Sequence, residues 1–76
     1  MNEQDAKTKL IEAAVRLFAE KGYDGASTRD LTREAGINIA LVSYYFGGKE
    51  GLYRHIIEDF AVNVRTRMDA LIAQFD

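Results

Sequence analysis

"STRDLTREAGINIALVSYYFGGKE", residues 27–50, holds two short apolar runs separated by Gly36 and closed by Gly47-Gly48. Ser27 is a natural helix N-cap, with Asp30 three residues on as a shorter form of the capping-box acid. Leu31 and Ala35 then share one side of a helix of about eight residues, and Gly36 suits the positive φ that ends it. Asn38 can cap a third helix running "IALVSYYF" (39–46) to Gly47. The β-branched and aromatic content there would equally permit a strand. Strict alternation is missing, however, and Ile37, Leu41 or Val42, Tyr45 and Phe46 fit a helical stripe. No partner strand lies nearby, so the helix is the better reading.

Working outward, the six glycines all fall between positions 22 and 51 and there is no proline, which leaves two uninterrupted flanks. In "DAKTKLIEAAVRLFAEKG", Leu10, Ala14, Leu17 and Phe18 form one stripe of a first helix that stops at Gly22. "YDGAS" reads as a short loop. From Lys49 to Phe75, Leu52, Tyr53, Ile56, Ile57, Phe60, Val64, Met68, Leu71, Ile72 and Phe75 keep a helical spacing. This is either one helix of roughly 40 Å or two, broken where Thr66 and Asp69 form a second capping box. The expected fold is all-α: a small, homeodomain-like helical bundle of three short helices plus a longer fourth.

Seventy-six residues make at most one domain, burying only about 60% of the unfolded surface. The absence of cysteine excludes disulfides and thiolate metal sites, and a single histidine removes most zinc arrangements, so no metal or cofactor is expected. "MNEQDAKTK" does not lead into an apolar run, which argues against a signal peptide. No apolar segment approaches the roughly 18 residues of a spanning helix. The expectation is a cytoplasmic protein with no membrane partner.

The formal net charge of −2 argues weakly against nucleic acid. Local balance counts for more: residues 27 to 55 carry Arg29, Arg33, Lys49 and Arg54 against Asp30, Glu34 and Glu50. Two short helices joined by "AGIN" have the layout of a helix-turn-helix, which crosses its helices through a tight turn often containing glycine. Such corners also occur in helical bundles with no role in DNA binding.

The order of the parts is more specific. A first helix ending "LFAEKGYDGASTRDLTREAG", followed by a short helix ending "YYFGGKEGLY", resembles the TetR family of transcriptional regulators from about Lys9 to Ile57. The matching residues are Ala14, Leu17, Phe18, Gly22 and Tyr23, then Thr28, Arg29, Leu31, Ala35 and Gly36, then Tyr45, Phe46, Lys49, Glu50 and Leu52. The resemblance implies a DNA-binding unit over residues 1–57 and, over 58–76, the end of a helix leading to a C-terminal domain. It also implies a double-stranded operator as partner, with the third helix, about 38–46, in the major groove of a half-site. Family members carry a longer C-terminal domain that dimerises and binds a small ligand. A homodimer is therefore expected where that domain is present, with a small-molecule effector bound by it. Repression is the family's common mode.

Residue by residue, the resemblance places Thr28 where its hydroxyl suits a phosphate, and Arg29 against a phosphate or a guanine edge. The alternative for Arg29 is a solvated side chain paired with Glu34 or Asp30. Asn38, Ile39 and Ala40 form the tip of the recognition helix. Asn38 either caps the helix or reads a base, Ile39 offers apolar contact such as a thymine methyl, and Ala40 permits close approach. Ser43 and Tyr44 face DNA, Tyr45 is half in the core with its hydroxyl near a phosphate, and Lys49 is a phosphate clamp. Three positions depart from the family pattern: Ile39 stands where lysine is frequent, which leaves the surface less basic, Ser43 stands for tyrosine, and Thr32 for alanine. Gly48 replaces the usual capping serine or threonine.

Chain length is the larger departure, since Met68, Leu71, Ile72 and Phe75 have few obvious partners within the first three helices. The expectation is the DNA-binding part of a longer regulator, or a truncated form of one. Enzyme activity is not expected: His55 has no evident nucleophile beside it, and Gly47-Gly48 reads as a helix stop and start rather than a phosphate loop. The alternative reading is a protein-interaction module that docks through the amphipathic 52–75 helix.

Overall fold

A computed structural model describes residues 2–75, and these form four helices: α1 (Glu3–Gly25), α2 (Thr28–Ala35), α3 (Ala40–Phe46) and α4 (Lys49–Ala73). Local chemistry sets most of the boundaries. The Asn2 side chain accepts from the Asp5 N–H at 2.8 Å, so α1 begins a few residues before the apolar stripe starts. Gly22, at φ 77° and ψ 169°, breaks the helical path of α1, and one further turn follows before Ala26. The segment "YDGAS" is thus a turn of helix and a buried alanine rather than an open loop. Ser27 and Asp30 form the full capping box, each side chain accepting from the other's backbone N–H at 3.0 Å.

Gly36 closes α2 in the left-handed conformation, φ 73°, and its N–H returns to Thr32 and Arg33. Here the structure corrects the start of α3. Asn38 does not cap a helix beginning at Ile39; its Oδ1 accepts from the Ala40 N–H at 2.8 Å, two residues on. Tight three-residue bonds, Leu41 to Asn38 and Val42 to Ile39, fill the first turn, so regular helix starts at Ala40. Gly47, at φ 77°, ends α3, and Gly48, at φ 117°, opens α4 without a side-chain cap.

The core is built from all four helices. Leu10 of α1, Leu31 of α2, Val42 of α3 and Leu52 of α4 are its largest fully buried side chains. Each contributes about 1.5–3 kcal/mol through burial. Ala14, Leu17 and Ala26 fill the spaces between them, and Ile11, Phe18, Ile37, Phe46 and Ile56 pack around the edge. Thr32 is buried with its hydroxyl directed at the Thr28 and Arg29 carbonyls. This satisfies the one buried polar side chain among the described residues.

α4 runs unbroken through Thr66 and Asp69, so of the two readings of this flank the single helix holds. Its length is about 37 Å. Beyond Ile56 every described residue of α4 is exposed, including Phe60, Val64, Met68, Leu71 and Ile72. The bundle therefore ends within the first turns of α4, and the rest of the helix projects from it.

Candidate nucleic-acid interface

The corner at Gly36 turns the chain from α2 into α3, and Ile37 packs against the core just after it. α3 then buries Val42 and half-buries Leu41, Tyr45 and Phe46, while Ala40, Ser43 and Tyr44 are exposed. Those three positions, separated by three and four residues, make one outward face. Tyr44 is 77% exposed, and Ile39, at the entrance to the helix, is 44% exposed. A tyrosine so open on a short helix adds nothing to the core, whereas it can stack or hydrogen-bond outward.

Asn38 is exposed with its carbonyl oxygen committed to the Ala40 N–H. That bond closes a turn at the entrance to α3 and is not a helix cap. Tyr45 is half-buried as expected, and its ring carries the Lys7 Nζ 5.3 Å from the centroid.

Thr28, the first residue of α2, is half-buried. Arg29 beside it is exposed and makes no ion pair among the described residues. The Glu34 and Asp30 carboxylates are engaged elsewhere. Glu34 accepts from Arg16 at 2.8 Å, and Asp30 lies 3.8 Å from Arg33 while accepting from the Ser27 N–H. That backbone donor first, and then the Ser27 side chain, hold the Asp30 carboxyl below the usual carboxylate range.

Lys49 opens α4 and is half-buried, with its Nζ 4.2 Å from the centre of the Tyr23 ring. Tyr23, Phe18 and Tyr53 form a three-ring cluster behind it, with centroids 4.8 to 5.7 Å apart. Sequence reasoning passed over Lys7 and Tyr23 as members of this region. Each pairs with a residue on another helix, and no spacing rule within one helix could have found them.

A helix-turn-helix presents one helix to a groove and cations to the flanking phosphates; here Arg29 precedes α3 and Lys49 follows it in the chain. Among the described residues no group of histidine, cysteine or acidic side chains could hold a metal ion. No helix among them is long and apolar enough to cross a membrane.

Residues 10–56 match the family model described as bacterial regulatory proteins, tetR family. The chain is 48% identical over 54 residues to the probable HTH-type transcriptional regulator YttP of Bacillus subtilis (strain 168), covering 71% of this chain and 26% of that protein. It is 40% identical over 53 residues to IcaR of Staphylococcus epidermidis, the biofilm operon icaADBC HTH-type negative transcriptional regulator, over 70% of this chain and 29% of that one. It is 50% identical over 50 residues to the HTH-type transcriptional dual regulator CecR of Shigella flexneri, over 66% and 22%. Among solved structures it is similar to HlyIIR, a hemolysin II transcriptional regulator, with a TM-score of 0.70 at 37% identity over 75% of this chain and 32% of that one. The chain thus spans about a quarter of the length of these curated relatives. On its helix-turn-helix geometry and the match across residues 10–56, the chain belongs to the tetR family of bacterial regulatory proteins.

Proposed function

We propose that the chain binds double-stranded DNA by laying α3 in the major groove of an operator half-site, and that it acts in transcriptional repression. One observation carries the reading: α3 buries Val42 and leaves Ala40, Ser43 and Tyr44 open, preceded in the chain by Arg29 and followed by Lys49, two cations without a carboxylate partner among the described residues. A short helix with an apolar, weakly charged outer face makes base-edge and methyl contacts, while the flanking cations set its register on the backbone. Thr28, Ser43, Tyr45 and Lys49 serve the phosphates, Asn38, Ile39, Ala40 and Tyr44 face the bases, and Arg29 meets either a phosphate or a guanine edge. The negative regulation named for IcaR supports repression, and CecR, named a dual regulator, shows that relatives differ in sign.

Residues 1–57 form the DNA-binding unit in this reading, and 58–76 lead toward a partner. Homodimerisation and a small-molecule effector belong to that side of the molecule. Support for it comes from the exposed apolar residues of α4, Phe60, Val64, Met68 and Leu71, which are typical of a covered face. The same residues favour the second reading, a module that docks on a protein through α4.

Selection of bound sequences from a random duplex pool, followed by a salt titration, separates the two. DNA binding weakens steeply with salt, with a slope near −0.9 for each phosphate neutralised. No enrichment and no duplex binding at low salt would leave the docking module as the better account.

A further inference from the structure

We propose that Tyr23 is a positioning residue that holds the Lys49 ammonium ready for a DNA phosphate, an inference that rests on the DNA-binding reading above. The Lys49 Nζ lies 4.2 Å from the Tyr23 ring centroid. That is well inside the roughly 6 Å over which the ring quadrupole attracts a cation.

The ring is itself fixed. Gly22 takes the backbone out of the helical path, and Tyr23 follows immediately, with Phe18 at 5.7 Å and Tyr53 at 4.8 Å between centroids. Phe18 and Tyr53 also meet each other edge to face at 5.3 Å. Tyr53 lies one turn beyond Lys49 on α4, so that helix offers a cation and a ring side by side to Tyr23. The end of α1 and the start of α4 are thereby joined at the residue that would grip the phosphate.

A ring and a carboxylate have opposite consequences for such a cation. Lys7, Arg16, Arg33 and Arg54 each lie within 4 Å of a carboxylate, which a phosphate would have to displace. Lys49 has no such partner among the described residues, and the neighbouring Glu50 is engaged by Arg54 at 3.1 Å. The Tyr23 face thus confines a flexible four-carbon stem without neutralising its charge. Ordering the side chain before DNA arrives lowers the entropy lost on binding.

The test is a double-mutant cycle read by fluorescence anisotropy with a labelled mixed-sequence DNA duplex at low salt. Tyr23→Leu is expected to weaken binding about three- to tenfold, as loss of a cation–π contact does. Tyr23→Phe, which keeps the ring, is expected to bind like the unaltered chain, and Tyr23→Leu to add nothing in a Lys49→Ala background. Equal losses in both backgrounds overturn the positioning role alone, whereas no duplex binding by the unaltered chain overturns the DNA reading as well. In the free protein, the Lys49 ε-methylene protons should resonate upfield through the Tyr23 ring current, and lose that shift in Tyr23→Leu. Absence of the shift in the unaltered chain overturns the proposal whatever the binding data, and it decides the matter if Tyr23→Leu fails to fold.

Discussion

Arg16 of α1 donates to Glu34 of α2 at 2.8 Å, and this bond both ties the two helices together and removes a carboxylate from the neighbourhood of Arg29. Both side chains are about half exposed, at 51% and 47%. Water and salt therefore screen the pair, and its coupling energy should be about 0.2–1 kcal/mol. Urea unfolding of Arg16→Ala, Glu34→Ala and the double variant measures it. A coupling well above that range would show that the contact organises the α1–α2 packing rather than decorating its surface.

The capping box at Ser27 and Asp30 gives stability a dependence on pH. The Asp30 carboxyl is held below its ordinary value by the Ser27 N–H, so the ionised form favours the folded state. Its contribution is complete above the unfolded carboxylate pKa, about 3.9, and is lost as pH falls through the lower folded value. Urea midpoints measured from neutral pH downward should show Asp30→Asn less stable than the unaltered chain near neutrality, with the gap closing below about pH 4. Ser27→Ala, which removes the other half of the box, should cost about 1 kcal/mol.

Most of this local architecture was legible because capping and glycine chemistry act within four residues. Gly36 and Gly47 end their helices as the sequence implies and Ser27 opens α2, whereas Gly22 kinks α1, which continues to Gly25. The start of α3 was not, since Asn38 has two short-range uses for one oxygen, a helix cap or a turn ending at Ala40, and the local sequence suits both. Whether α4 breaks at Thr66 was likewise open, because a capping-box pattern inside a continuous apolar stripe is decided by the helix that already runs through it. Within the candidate site, the outward face of α3 follows from periodicity. The Tyr23–Lys49 and Tyr45–Lys7 contacts do not, because they depend on how α1 crosses α3 and α4.

Gly36 carries the helix-turn-helix corner at φ 73°, with open space where a side chain would go. The penalty for replacing it is therefore conformational rather than steric. Gly36→Ala should cost about 1–2 kcal/mol, the usual strain of an L-residue in the left-handed region. Gly36→Asn should cost less, because asparagine tolerates this region better. Equal stability of Gly36→Ala and the unaltered chain by urea unfolding would mean that the corner relaxes to a different geometry, and α3 with it.

Arg29 and Tyr44 divide the proposed contacts by the kind of loss they should produce. Tyr44 is 77% exposed, so Tyr44→Ala should leave stability within about 0.5 kcal/mol while weakening binding to a selected duplex. Arg29 has no carboxylate partner among the described residues, so Arg29→Ala removes a cation without freeing a buried acid. If Arg29 meets a base edge, the variant should lose about 1–3 kcal/mol on the selected duplex and discriminate less at one position. If it meets a phosphate, the loss should be uniform across sequences, with a salt slope smaller by about one. Binding isotherms on the selected duplex and on single-base variants, each at two salt concentrations, separate the outcomes. Unchanged affinity and slope on every duplex would remove Arg29 from the interface and leave Lys49 as the flanking cation that sets the register of α3.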